Sequence, residues 1–219
     1  MSLAQPNLTW GVLEPTAEAP LVGGMGVVFS ATWRRSLPEK VAVKVLKAGE
    51  LSAAACEAAS SPLEQEAAAL QAACADRTNP YVALLYGLVR GPPTPAWATR
   101  LGPHSAALLS HSAEAQLLGL VMRWEPGGSL SARLHSGAVP WAAKTSERLC
   151  LLERVAAGVA SLHAASPTIV HGDIKPDNVL LAADGAPRLS DFGLAQLRSA
   201  VATSAGRSTV ATTAKVAGT

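Results

Sequence analysis

The octapeptide His171-Gly172-Asp173-Ile174-Lys175-Pro176-Asp177-Asn178, followed by the triplet Asp191-Phe192-Gly193, constrains this chain more than any other stretch. Two carboxylates, a lysine and a carboxamide stand in fixed order, with Asp173 and Asp191 18 residues apart. Phosphoryl transfer from a magnesium nucleotide needs this set. One carboxylate orients the attacking hydroxyl, the lysine stabilises charge on the moving phosphoryl group, and the carboxamide and second carboxylate are hard oxygen donors for the metal. Two short apolar runs, Val179-Leu180-Leu181 and Pro187-Arg188-Leu189-Ser190, flank Ala183-Asp184-Gly185. They predict a hairpin that brings the two ends of the set together.

The rest of the chain reads as strands first and helices later, an α+β pattern. Residues 1–19 are polar and broken by prolines, and read as a leader or linker. Val27–Trp33 and Lys40–Leu46 read as strands joined by a turn at Arg34–Pro38. Leu63–Ala75 is made of strong helix formers, with Ser61 placed to cap it and Pro62 in its first turn. Tyr81–Val89 and Leu117–Trp124 are strand-like. Residues 91–115 hold four prolines with many Ser, Ala and His, and read as a low-complexity insert. Ser146–Ala164 reads as a helix, with Leu149, Leu152, Val155, Ala156, Val159 and Leu162 at spacings of three and four.

At these residues the sequence resembles the protein kinase family, whose catalytic loop and metal-binding triplet take this form. The resemblance covers roughly residues 20–219 outside the insert. It implies a two-lobe fold: a β-rich lobe over 20–121, then a linking segment and the first part of a helical lobe over 122–219. Leu21-Val22-Gly23-Gly24-Met25-Gly26-Val27-Val28 resembles the phosphate-covering loop, with Gly23 and Gly26 as its second and third glycines and Leu21 where the first would fall. Glycine there lets backbone amides approach phosphate oxygens. Lys44, in Val41-Ala42-Val43-Lys44, is its partner. Glu66 is the carboxylate expected to hold Lys44, with Glu64 as rival; two residues apart on a helix, they point to different faces.

The resemblance implies ATP and Mg²⁺ as cofactors and a protein substrate. Asp173 is then the catalytic base, Lys175 meets the γ-phosphate, and Asn178 and Asp191 hold the metal. Backbone groups of Met122, Arg123 and Trp124, in Leu120–Leu130, read the adenine edge. Val28, Ala42 and Leu180 sandwich the ring. Leu70, Leu84, His171 and Phe192 form a second apolar stack. The pattern Asp-x-Lys-Pro-x-Asn is similar to Ser/Thr kinases rather than tyrosine kinases, and to their plant-type tyrosine-kinase-like group.

Two departures matter. Gly172 stands where many kinases have an arginine that binds a phosphorylated loop residue, so a phosphate on the segment after Gly193 lacks that counter-charge. That segment still offers Ser199, Thr203, Ser208, Thr209, Thr212 and Thr213. Ala217-Gly218-Thr219 resembles the start of the family's substrate-docking stretch, before its Ala-Pro-Glu anchor. The expectation is a domain cut short there, exposing apolar surface on the Ser146–Ala164 helix and showing little turnover by itself. Two other readings stay open. One is a kinase-like binding module without catalysis; the other, raised by Gly172, is a phosphotransferase of the aminoglycoside or choline kind.

Bulk properties exclude several classes. A net charge of +2 in 219 residues gives no electrostatic case for nucleic acid or a membrane surface. Cys56, Cys74 and Cys150 are odd in number and far apart, as in reduced proteins of the cytosol. No basic stretch precedes an apolar core at the N-terminus, and no apolar run approaches the ~18–20 residues of a span. The expected setting is cytoplasmic, alone or as the intracellular part of a longer protein.

Overall fold

A computed structural model describes residues 7–23, 26–45, 53–74, 79–102, 117–136, 145–201 and 209–212; for 7, 53–62, 199–201 and 209–212 it describes the backbone alone. The chain forms two compact units, Met1–Ala67 with Leu85–Trp124, and Ala68–Leu84 with Glu125–Thr219. Both helix and strand are present, as the α+β reading requires.

The first unit is built on a seven-stranded sheet. Its strands are β1 (Asn7–Leu8), β2 (Leu13–Pro15), β3 (Leu21–Val22), β4 (Val27–Trp33), β5 (Glu39–Val45), β6 (Leu85–Gly91) and β7 (Leu117–Arg123). The order is β1-β6-β7-β5-β4-β2, with β3 also on β4. β5 is a central strand between β4 and β7. Val41, Val43 and Val45 alternate along it and are buried, the period-2 pattern of a strand.

Residues 1–19 are not all leader. Asn7–Leu8 runs parallel to β6 at one edge of the sheet, and Leu13–Pro15 pairs with β4 at the other. A 3₁₀ turn at Trp10–Val12 joins them. Trp10 is buried, its Nε1 donates to the Leu117 carbonyl at 3.3 Å, and a Cβ on Gly119 would lie 3.3 Å from its ring. The stretch is thus a strap whose tryptophan is a core side chain. Two- and three-residue strands carry no readable period, which is why composition hides them.

The insert reading of 91–115 is also corrected in part. Pro95–Leu101 is a helix, α2, capped by Thr94, whose Oγ1 accepts from the Trp97 amide, with Pro95 in its first turn. Trp97 is fully buried and its Nε1 donates to the Leu13 carbonyl at 2.7 Å. Its ring meets Trp10 edge-on at 5.0 Å and Phe29 at 5.8 Å, the arrangement aromatic quadrupoles favour. Residues 103–115 lie outside the described ones. The expected strand at Tyr81–Val89 starts later, at Leu85.

Helix α1 spans Ala53–Ala73, so it starts before Ser61 and runs through Pro62 rather than being capped there. Five alanines over 53–59, the best helix formers, extend it toward the N-terminus.

In the second unit, α3 (Leu130–His135) and α4 (Thr145–Ala164) precede β8 (Thr168–Val170). A hairpin of β9 (Val179–Leu181) and β10 (Pro187–Leu189) follows, as expected. β11 (Gln196–Val201) pairs with β8 and with β12 (Thr209–Thr212). Helix α4 packs on β8 and β10. The contact uses its C-terminal half, where Leu162 is buried and a Cβ on Gly158 would sit 3.1 Å from Tyr81 Cβ. Leu149 and Leu152 of the apolar stripe are 61% and 59% exposed. Among the described residues, no helix is long and apolar enough to cross a membrane.

Removing the strap's anchor tests its place in the core. Trp10→Ala should lower unfolding stability by about 3–5 kcal/mol in a denaturant titration. A change within about 0.5 kcal/mol would mean that the strap is peripheral.

Candidate active site

The chemistry-bearing residues of the first unit share one face of the sheet. Val28 is opposite Lys44, Lys44 opposite Leu120, and Ala42 opposite Met122, and directly paired residues project to the same side. Lys44 is 6% exposed and Glu66 on α1 is 3% exposed. The ammonium donates to both carboxylate oxygens, each at 2.8 Å. Glu64, the rival, pairs instead with Arg90 at the surface. Two residues of helix rotation, about 200°, separate the two outcomes.

The glycine turn is tight. The Gly23 amide donates to the Gly26 carbonyl at 2.9 Å. A Cβ on Gly26 would lie 2.6 Å from the Val45 carbonyl oxygen, so β4 can leave the turn this close to β5 only with glycine there. Gly24 and Met25 lie outside the described residues. Leu21 is 63% exposed on β3. Val28 and Ala42 are half-buried and Met122 is buried. Arg123 and Trp124 are half-buried, with the Lys40 ammonium 4.3 Å above the Trp124 ring.

In the second unit, Asp173 is the hub of the loop between β8 and β9. Lys175 Nζ donates to its Oδ2 at 2.7 Å. Asn178 Nδ2 donates to the same Oδ2 and to the Asp173 carbonyl, both at 2.9 Å. The Lys175 bond holds the Asp173 carboxyl below the usual carboxylate range, and the Asn178 bond adds to this. The same pairing raises the Lys175 ammonium above its ordinary value. Asp173 stays ionised and Lys175 stays charged. The loop's backbone is fastened as well, since the Ser190 amide and hydroxyl both donate to the Asn178 carbonyl. The family resemblance assigns Asn178 to the metal alone; its grip on Asp173 is a further role, marked in the sequence only by the five-residue spacing.

His171 links this loop to the triplet. It is buried, its Nε2 bonds the Ser190 carbonyl at 3.0 Å, and its Nδ1 accepts from the Asp173 amide at 3.3 Å. That pair of bonds requires the neutral ring with its proton on Nε2. Its ring lies 4.7 Å from Phe192, which is buried. Of the other two expected stack members, Leu70 is buried and Leu84 half-buried in the same unit. Leu180 is half-buried on β9. Asp191 has φ 60° and ψ 72°, a left-handed backbone that a non-glycine residue holds at a cost.

Gly172 has its own reason to be glycine. Its φ is +82°, and a Cβ there would lie 2.7 Å from the Leu194 carbonyl oxygen. Among the described residues, no three His, Cys, Asp or Glu side chains cluster as a metal site. The donors available are the Asp191 carboxylate and the Asn178 carboxamide oxygen, the latter aimed by the two bonds through Nδ2. Hard oxygens of this kind suit a divalent cation such as Mg²⁺.

Two measurements probe this geometry. Burial lowers the His171 pKa, against the opposing pull of its bond to Ser190 and of the Asp191 and Asp173 charges. A lowered folded-state value means stability that is full above the unfolded value of about 6.5 and lost as pH falls through the folded value. The melting temperature should therefore drop on acidification below about 6.5, and His171→Phe should flatten that limb. Separately, Gly172→Ala should destabilise by about 1–3 kcal/mol; a neutral outcome would contradict the left-handed geometry.

The protein kinase domain family matches residues 22–216 of the chain. Among curated proteins, interleukin-1 receptor-associated kinase 1 of Mus musculus is 39% identical over 123 residues, covering 53% of this chain and 17% of that protein. A receptor-like serine/threonine-protein kinase of Arabidopsis thaliana is 30% identical over 176 residues, covering 80% of this chain and 22% of the relative. Receptor-interacting serine/threonine-protein kinase 4 of Mus musculus is 40% identical over 79 residues, or 36% of this chain and 10% of the relative. The chain thus spans less than a quarter of the length of each of these relatives, but the family match runs through nearly all of it, from Val22 to Val216: the chain belongs to the protein kinase domain family.

Proposed function

We propose that the chain is catalytic-domain sequence of an ATP-dependent protein kinase that transfers the γ-phosphate to Ser and Thr hydroxyls of protein substrates. The observation that carries this reading is the arrangement around Asp173, whose Oδ2 accepts from both Lys175 and Asn178. Asp173 accepts the hydrogen bond of the incoming hydroxyl and takes its proton late in the transfer. Lys175 neutralises charge on the phosphoryl group, and its sequence context favours Ser/Thr substrates. Lys44, held by Glu66, is assigned to the nucleotide phosphates, and the Gly23–Gly26 turn offers them backbone amides. Leu21, Val28, Ala42, Met122, Arg123, Trp124 and Leu180 are assigned to the nucleotide by resemblance.

Asn178 and Asp191 would hold Mg²⁺, which when bound neutralises phosphate charge. The relatives' names support the Ser/Thr assignment, since those from Arabidopsis thaliana and the receptor-interacting kinase carry it.

ATP with Mg²⁺ should raise the melting temperature of the wild-type chain, and Asp191→Ala should remove the Mg²⁺-dependent part of that rise. No shift with nucleotide or metal would leave a kinase-like binding module instead. In a phosphotransfer assay, label should appear on Ser/Thr peptides, and Asp173→Asn should cut turnover by about 10²–10⁴-fold. Preferential labelling of kanamycin or choline would move the chain to the small-molecule class.

A further inference from the structure

The face of α4 that packs on β10 is covered along only part of its length. Glu147, Leu151, Arg154, Gly158 and Leu162 recur at spacings of three and four, so they share one side of the helix. Near the C-terminal end that side is closed: Leu162 is buried, and a Cβ on Gly158 would lie 3.2 Å from Leu189 on β10. Toward the N-terminal end, helix and hairpin part. The space between them is a groove of about 330 Å³ within the second unit, with Arg133 of α3 also in its lining.

The floor of the groove is apolar. Leu181 and Pro187 stand opposite each other on β9 and β10, and both are buried; Leu151 lines the helix side. Leu181 faces away from Leu180, the residue assigned to the nucleotide, because successive strand residues alternate. Two cations border this floor. Arg133 and Arg154 are exposed, and among the described residues neither guanidinium is ion-paired or hydrogen-bonded. The acidic residues of the groove are already engaged. Asp184 Oδ1 accepts from the Ala186 amide at 3.0 Å, and Glu147 has a partner of its own.

A guanidinium fork matches a carboxylate through two parallel bonds. An apolar floor with two such forks fits a peptide that mixes acidic and apolar side chains. A phosphate carries nearly twice the charge of a carboxylate, so Asp184 and Glu147 repel it more strongly. We propose that this groove docks an unphosphorylated acidic and apolar segment of a protein partner, with carboxylates on Arg133 and Arg154 and an apolar side chain on Leu181 and Pro187. The site is separate from the residues assigned to phosphoryl transfer, and binding there does not require turnover.

Fluorescence anisotropy tests this with a labelled peptide alternating Glu with Leu, beside one alternating Lys with Leu and one carrying phosphoserine in place of Glu. The acidic peptide should bind best, and its affinity should fall as salt rises. Arg133→Gln with Arg154→Gln should weaken it about tenfold, the loss of two exposed ion pairs. Arg133→Glu with Arg154→Glu should turn the preference to the basic peptide. Both positions are exposed, so melting temperatures should stay near that of the wild type, which separates a lost contact from a lost fold. Bound peptide should also slow alkylation of Cys150, an exposed thiol in the groove lining, as read by peptide mapping. Stronger binding of the basic or phosphoserine peptide, no binding of the acidic one, undiminished binding in the arginine variants or an unprotected Cys150 would overturn the proposal. Self-association of the wild-type chain that the arginine variants abolish would overturn it too, since the occupant would then be a second copy.

Discussion

The first unit is organised around one interaction, the buried pair of Lys44 and Glu66. A lysine can be buried on a strand only if a carboxylate meets it, because an unpaired charge in such a place costs several kcal/mol. That requirement fixes the rotation of α1, which must present Glu66 and turn Glu64 toward Arg90. Lys44 stands on β5, a central strand between β4 and β7, with Val41, Val43 and Val45 on the opposite, apolar side. Gly26 answers to the same strand, since a Cβ there would lie 2.6 Å from the Val45 carbonyl oxygen. The aromatic packing of Trp10, Trp97 and Phe29 supplies the burial that supports this polar arrangement.

The second unit answers to a backbone constraint. Gly172 at φ +82° and Asp191 at φ 60° both occupy left-handed backbone; glycine does so freely, and the strain at Asp191 persists because surrounding bonds over-determine the chain. Here those bonds come from His171 to Ser190, Asp173 to His171, and Ser190 to Asn178. The loop and the triplet are thus one fastened object, and Asp173 sits at its centre. The glycine at 172 is a conformational requirement of this loop as well as the loss of a cationic side chain.

Much of this was legible in the sequence where local chemistry speaks. The hairpin around Ala183-Asp184-Gly185, strand β4 and helix α4 follow from turn residues and period. Helix geometry shows only that Glu64 and Glu66 face different sides; the choice of Glu66 comes with the family resemblance. What was not legible depended on partners far along the chain. The strap at 7–15 and helix α2 are held by Trp10 and Trp97 bonding to Leu117 and Leu13, and no window of sequence contains both ends of such a bond. The alanine-rich stretch before Ser61 hid the start of α1, because good helix formers leave no mark where a helix begins. Exposed Leu149 and Leu152 show the reverse failure: a regular stripe does not say which of its residues are covered.

The nucleotide role proposed for Lys44 and Glu66 separates ATP affinity from unfolding stability. Unfolding stability and ATP affinity of Lys44→Met combined with Glu66→Leu test this most directly. The expected result is stability equal to or above that of the wild type, as apolar replacement of buried ion pairs commonly gives, with ATP affinity lost. A double variant that is strongly destabilised but still binds ATP like the wild type would contradict it.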